Sequence, residues 1–172
     1  MAAIDDAIQI KKADGRCSID ITPVTSDPEL FASACHDMYE MFEREVCDII
    51  IATKVSGDIF ASAVADRTHR GLAVATLSSG DPSKGMVCEY EGHHGTIRLR
   101  ISDSAIRPGM RVGVVCDVLR SGKDLRAVID MVEAKGAKVI KIGCFAEDSA
   151  SGARKGALKG IPLESRVFTE DY

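Results

Sequence analysis

Short apolar runs separated by helix-period segments constrain the fold of this chain more than any other feature. Cys47–Ala52 (CDIIIA), Leu72–Thr76 (LAVAT) and Val112–Cys116 (VGVVC) read as strands buried on both faces. Lys138–Phe145 and Ile161–Phe168 continue the series, and Thr96–Ile101 (TIRLRI) alternates as a strand with one polar face does. Between them lie helical patterns. Asp27 as N-cap and Pro28 at the first helical position open a helix to about Arg44, with Leu30, Phe31, Ala34, Met38, Met41 and Phe42 on one face. Further helices are expected over Asp58–Arg67 and about Asp124–Lys135, the latter closed by Gly136. Ser78–Gly85 reads as a loop, Arg107–Gly109 as a turn and Gly152–Gly160 as a basic loop or short helix. Strands alternating with helices imply an α/β fold around a parallel sheet. Ligands bind such sheets at the carboxyl ends of the strands. That singles out the segments Thr53–Gly57, Thr76–Gly85 and Asp117–Asp124.

Composition narrows the function classes. The 172 residues suit one domain, and no apolar run approaches the ~20 residues of a membrane helix. A net charge of −4 argues against the basic stripe that nucleic acid requires, and 5% aromatics without tryptophan argue against base stacking. Asp5 and Asp6 interrupt the first twelve residues, which do not read as a secretory leader, so a cytoplasmic protein is expected. Cys17, Cys35, Cys47, Cys88, Cys116 and Cys144 form no C-x-x-C pair. They are expected to be reduced, small hydrophobes, with no metal site.

The stretch Val112–Gly136, VGVVCDVLRSGKDLRAVIDMVEAKG, resembles the phosphoribosyl-pyrophosphate loop of the type I phosphoribosyltransferases. Among these the chain is most similar to the adenine phosphoribosyltransferases. The matches are Asp20-Ile21-Thr22-Pro23 with Asp27–Phe31, Gly57 with Ile59-Phe60, Gly95-Thr96 with Leu99 and Ile101, Asp103–Gly109, and Lys159–Pro162. The resemblance implies a Rossmann-like parallel sheet flanked by helices, with a small N-terminal hood (about 1–24) and a mobile loop (about 77–95), in one domain. It also implies a homodimer that transfers ribose 5-phosphate from phosphoribosyl pyrophosphate, held with Mg2+, to adenine, giving AMP and pyrophosphate.

Carried over residue by residue, the resemblance breaks where charge is needed. The acidic pair that holds the ribose hydroxyls falls on Cys116-Asp117, leaving Asp117 alone. A thiol cannot accept two hydroxyl hydrogen bonds as a carboxylate does. The phosphate and ribose turn falls on Asp117, Val118, Leu119, Arg120, Ser121, Gly122, Lys123 and Asp124. Asp124 puts a carboxylate where a neutral neighbour of phosphate belongs, and two anions about 4 Å apart repel by ~1 kcal/mol in water and more at lower dielectric. Ser121-x-x-Asp124 also fits a capping box that needs no ligand. On the pyrophosphate side, Lys54, Ser56 and Gly57 occupy positions of an acidic residue, an arginine and a glycine, and Thr76-Leu77 those of an arginine-lysine pair. A loop lysine falls on Gly80 or Asp81, and Lys54 and Lys84 compensate only in part. The glutamate-tyrosine pair of the loop becomes His93-His94, and His93 is the candidate proton-transfer group. The base pocket positions are Ser18 and Ile19, which lack the aromatic and basic groups expected there. Arg154, Lys155 and Lys159 read as a solvated basic cluster.

Three readings stay open. One is a purine-salvage-type relative that binds a purine nucleotide or ribose 5-phosphate without turnover. The second is an active purine phosphoribosyltransferase, and the third is different chemistry on the same scaffold.

Overall fold

The structure, a computed structural model, describes residues 4–13, 16–55, 57–78, 85–92 and 95–169. The chain runs α1 (Ile4–Ala7), β1 (Gln9–Ala13), β2 (Arg16–Asp20), α2 (Thr22–Thr25), α3 (Pro28–Glu43), β3 (Ile49–Thr53), α4 (Ile59–Arg67), β4 (Gly71–Leu77), β5 (Met86–Gly92), β6 (Gly95–Ile101), β7 (Arg111–Leu119), α5 (Lys123–Ala134), β8 (Lys138–Glu147) and β9 (Leu163–Phe168). Strands β5-β6-β4-β3-β7-β8-β9 form one seven-stranded sheet in that order. The run β4-β3-β7-β8-β9 is parallel, whereas β6 pairs antiparallel with β4 and with β5. The fold is therefore α/β with a mostly parallel sheet flanked by helices.

Successive strand residues point to opposite faces, and each face has its own core. Ile49 and Ile51 of β3, with Val112, Val114 and Cys116 of β7, pack under Leu125, Val128, Ile129 and Val132 of α5. Ile50, Ala52, Val115 and Phe145 face the other way, against Met38 and Phe42 of α3 and Phe60 and Val64 of α4. Helix α3 starts where expected because the Asp27 carboxylate accepts from the Glu29 and Leu30 amides, both at 2.9 Å. Phe42 lies so close to the sheet that a Cβ at Gly143 would sit 2.5 Å from its ring, so only glycine fits there.

The N-terminal segment adds the antiparallel β1–β2 hairpin, and Ile4, Ile8, Ile19 and Val24 join the α3–α4 core. Arg166 of β9 ties it down through Asp5 and Asp37.

Several expectations are corrected. Strand β3 begins at Ile49 because Asp48 turns out to take three donors from Arg111. The segment between β4 and β6 contains strand β5, whose alternation Met86-Val87-Cys88-Glu89-Tyr90-Glu91 was hidden beside Gly-rich neighbours. The capping box does not form: Gly122, in the left-handed region at φ 68°, is the N-cap of α5 and no side chain caps that end. Arg154 is not a solvated charge. It grips the buried Glu147 with two nitrogens and reaches the Leu163 carbonyl and Ser165. No helix among the described residues is long and apolar enough to cross a membrane.

Candidate active site

A cleft of about 400 Å³ opens at the carboxyl ends of the strands. The β3–α4 loop supplies Lys54, Val55 and Gly57, and the β7–α5 turn supplies Asp117, Val118, Arg120, Ser121 and Asp124. Ile21 reaches it from the N-terminal segment, and Tyr90, Gly92 and Ile97 from the β5–β6 hairpin.

Asp117 is 3% exposed and its carboxylate is spent inside the fold. Oδ2 accepts from the Ile59 amide at 2.9 Å and Oδ1 from the Phe60 amide at 3.3 Å. It thus caps α4 from another element, while the sequence-local N-cap, Asp58, makes no capping bond. Burial pushes the Asp117 carboxyl above its ordinary range, the two amides pull it back, and Asp58 raises it further. Gly57, at φ 99°, completes the arrangement, because a Cβ there would lie 2.2 Å from Asp117 Oδ2.

Asp124 is 7% exposed and accepts from Thr53 Oγ1 at 2.9 Å. Thr53 is fully buried, and its Oγ1 also accepts from the Val55 amide at 3.2 Å. A side-chain link therefore joins the end of β3 to the first turn of α5. Tyr90 lies in the same cleft with its hydroxyl buried and without a hydrogen-bond partner among the described residues. Burial, aided by the negative charge of Asp124, pushes the Tyr90 phenol up to about 12.

The cationic candidates divide. Lys54 Nζ is held by Asp58 Oδ2 at 2.5 Å. Lys123 turns to the hairpin and donates to the Glu91 carbonyl at 3.0 Å. Arg120 is exposed at the cleft, and its carbonyl accepts from Ser151 Oγ at 2.6 Å. Val55, in the cleft lining, is 44% exposed, and Leu77, at the carboxyl end of β4, is 64% exposed.

Other sequence candidates lie elsewhere. Cys116 and Leu119 are fully buried in the core, so only their backbone can serve a ligand. Ile19 is buried in the α3–α4 core and Ser18 is exposed on β2, and neither lines the cleft. Ser56, Gly80, Asp81, Lys84, His93 and His94 fall outside the described residues. Sequence reasoning missed Ile21, Tyr90, Gly92 and Ile97 as cleft residues, whereas Thr53 lay at the start of the segment Thr53–Gly57 that it singled out. Thr53 closing an apolar strand was the one readable signal, since a polar residue there faces the ligand end.

The cleft's two described carboxylates are taken up by helix amides and by Thr53. Among the described residues no group of three or more His, Cys, Asp or Glu side chains gathers to hold a metal. The described residues offer no magnesium cage, and a Mg2+ carried on a ligand's phosphates would take its oxygen ligands from that ligand and from water.

No protein-family model matches the chain. Individual relatives do. The adenine phosphoribosyltransferase of Symbiobacterium thermophilum is 36% identical over 148 residues, 86% of each chain. The crystal structure of the adenine phosphoribosyltransferase from Thermoanaerobacter pseudethanolicus superposes with a TM-score of 0.86 at 28% identity, covering 96% of this chain and 97% of that one. The Giardia lamblia enzyme complexed with 9-deazaadenine shares the fold, with a TM-score of 0.85 at 19% identity over 98% of both chains. Identity and coverage of that order, over a sheet with this strand order and a cleft at this end, place the chain in the adenine phosphoribosyltransferase family.

Proposed function

We propose that this protein is a purine-salvage-type ligand binder that holds a purine nucleotide, or its ribosyl part, in the cleft without transferring the ribosyl group. The carrying observation is the charge of the pyrophosphate side. Transfer breaks the bond between the ribose carbon and pyrophosphate, and the negative charge that develops on the leaving group needs positive partners. Among the described residues Lys54 is paired with Asp58, while Val55 and Leu77 present apolar surface. Asp117 is committed to capping α4, which leaves one fewer acceptor for ribose hydroxyls. Ile21, Val118 and Ile97 give apolar walls of the kind a flat base packs against, and Arg120 provides a cation at the mouth. The purine part of the reading rests on the family. His93 has no step in it. The same reading makes the protein a cytoplasmic homodimer, which fractionation and light scattering test.

The direct experiment is a thermal-shift titration with AMP, adenosine, ribose 5-phosphate and Mg2+-phosphoribosyl pyrophosphate. A ligand at 100 times its Kd stabilises the fold by about 2.7 kcal/mol. The expected result is a clear shift with a purine ribosyl ligand and no nucleotide formed from adenine and phosphoribosyl pyrophosphate. No shift with any of them overturns the binding reading, and turnover overturns its non-catalytic part.

A further inference from the structure

Two groups in the cleft have hydrogen-bonding capacity that a ligand hydroxyl can use. The Tyr90 hydroxyl is buried with no acceptor. Buried polar groups in folded proteins are almost always paired, so an orphan lining a cleft asks for a ligand partner. Asp124 lines the same cleft, nine-tenths buried, with Oδ2 on Thr53, and its Oδ1 is not a buried orphan but an oxygen that water or a ligand donor can reach. One group is a donor without an acceptor, and the other has an acceptor oxygen to offer. Burial and the charge of Asp124 keep the phenol protonated and hence a donor.

We infer that Tyr90 and Asp124 form a hydroxyl-reading pair, so that the cleft prefers a neutral purine nucleoside to its phosphate. A ligand hydroxyl accepts from Tyr90 and donates its own proton to Asp124, satisfying both. A phosphate offers acceptors only and would face a buried carboxylate. The cation next in the chain, Lys123, is drawn off to the Glu91 carbonyl, and Arg120 is exposed. This inference rests on the ligand-binding reading above and specifies its ligand.

Calorimetric titration of the full chain with adenosine and with AMP tests it. Adenosine is expected to bind at least about tenfold more tightly, the worth of one hydrogen bond. Tyr90→Phe weakens adenosine by about tenfold and does not lower Tm, because it removes a hydroxyl that nothing in the fold satisfies. Asp124→Asn shifts the adenosine-to-AMP preference toward AMP by about tenfold, and if that variant misfolds Tyr90→Phe decides alone. Tighter AMP than adenosine in the unaltered protein, or unchanged adenosine affinity in Tyr90→Phe, overturns the pair alone. Failure of both ligands to bind overturns the pair, and with no response to ribose 5-phosphate or Mg2+-phosphoribosyl pyrophosphate either, the ligand-binding reading falls with it.

Discussion

Asp117 shows how a residue in a ligand loop can serve the fold. Its two oxygens replace the missing local cap of α4, and Gly57 leaves room for them. Asp117→Ala is expected to cost about 1–2 kcal/mol in denaturant unfolding, the worth of a lost helix cap. Asp117→Asn keeps an acceptor and loses less. Because burial raises the folded value above the ordinary 3.8, this carboxyl favours the fold most below that value. Its contribution is lost as pH rises through the raised value. Asp117→Asn should flatten that part of the stability profile. Gly57→Ala is expected to lose about 2 kcal/mol or more, since a left-handed residue would gain a Cβ inside the carboxylate. At Thr53, replacement by valine leaves Asp124 buried without its donor, and thermal unfolding should register about 1–3 kcal/mol. None of these partners was readable from spacing. Asp117 and Ile59 are neighbours through a parallel pairing of β3 with β7, and only the folded sheet brings their loops together.

At the scale of elements, local signals decided what could be foreseen. Asp27-Pro28 fixed the start of α3, and the apolar runs marked β3, β4 and β7. Strand β5 and the β1–β2 hairpin were not foreseen, because polar edge strands carry little hydrophobic contrast. The ion pair of Asp48 with Arg111 locks the start of β3 to that of β7. Arg111 holds the Asp48 carboxyl well below its usual range, at about 2, mainly through side-chain hydrogen bonds. That contribution is present above 3.8 and lost as pH falls through about 2. Arg111→Gln should shrink this acid-range slope in pH-dependent unfolding, leaving the part that comes from the Arg111 amide. Lys123 tethers the β5–β6 hairpin to α5 through the Glu91 carbonyl. Lys123→Met is expected to speed amide hydrogen exchange at the hairpin end while leaving the core of β7 and β8 protected.

For the whole molecule, the fold was legible because two-faced burial writes itself into short apolar runs. The cores on the two faces of the sheet follow from that alternation alone. The rule that ligands sit at the carboxyl ends of strands pointed to two of the loops that line the cleft, and the resemblance implied a weakened pyrophosphate side. What the sequence did not carry is where each surviving charge goes: Lys54 to Asp58, Lys123 to a strand carbonyl, Asp117 to helix amides. Among the described residues those destinations leave Arg120 as the exposed cation lining the cleft. The central claim is that this scaffold binds without transferring. It is tested most directly by phosphorus NMR of phosphoribosyl pyrophosphate, Mg2+ and adenine with the protein at substrate concentration. The account predicts that the phosphoribosyl pyrophosphate resonances persist with no AMP or pyrophosphate appearing. Stoichiometric growth of both products within the enzyme's first turnovers would contradict it.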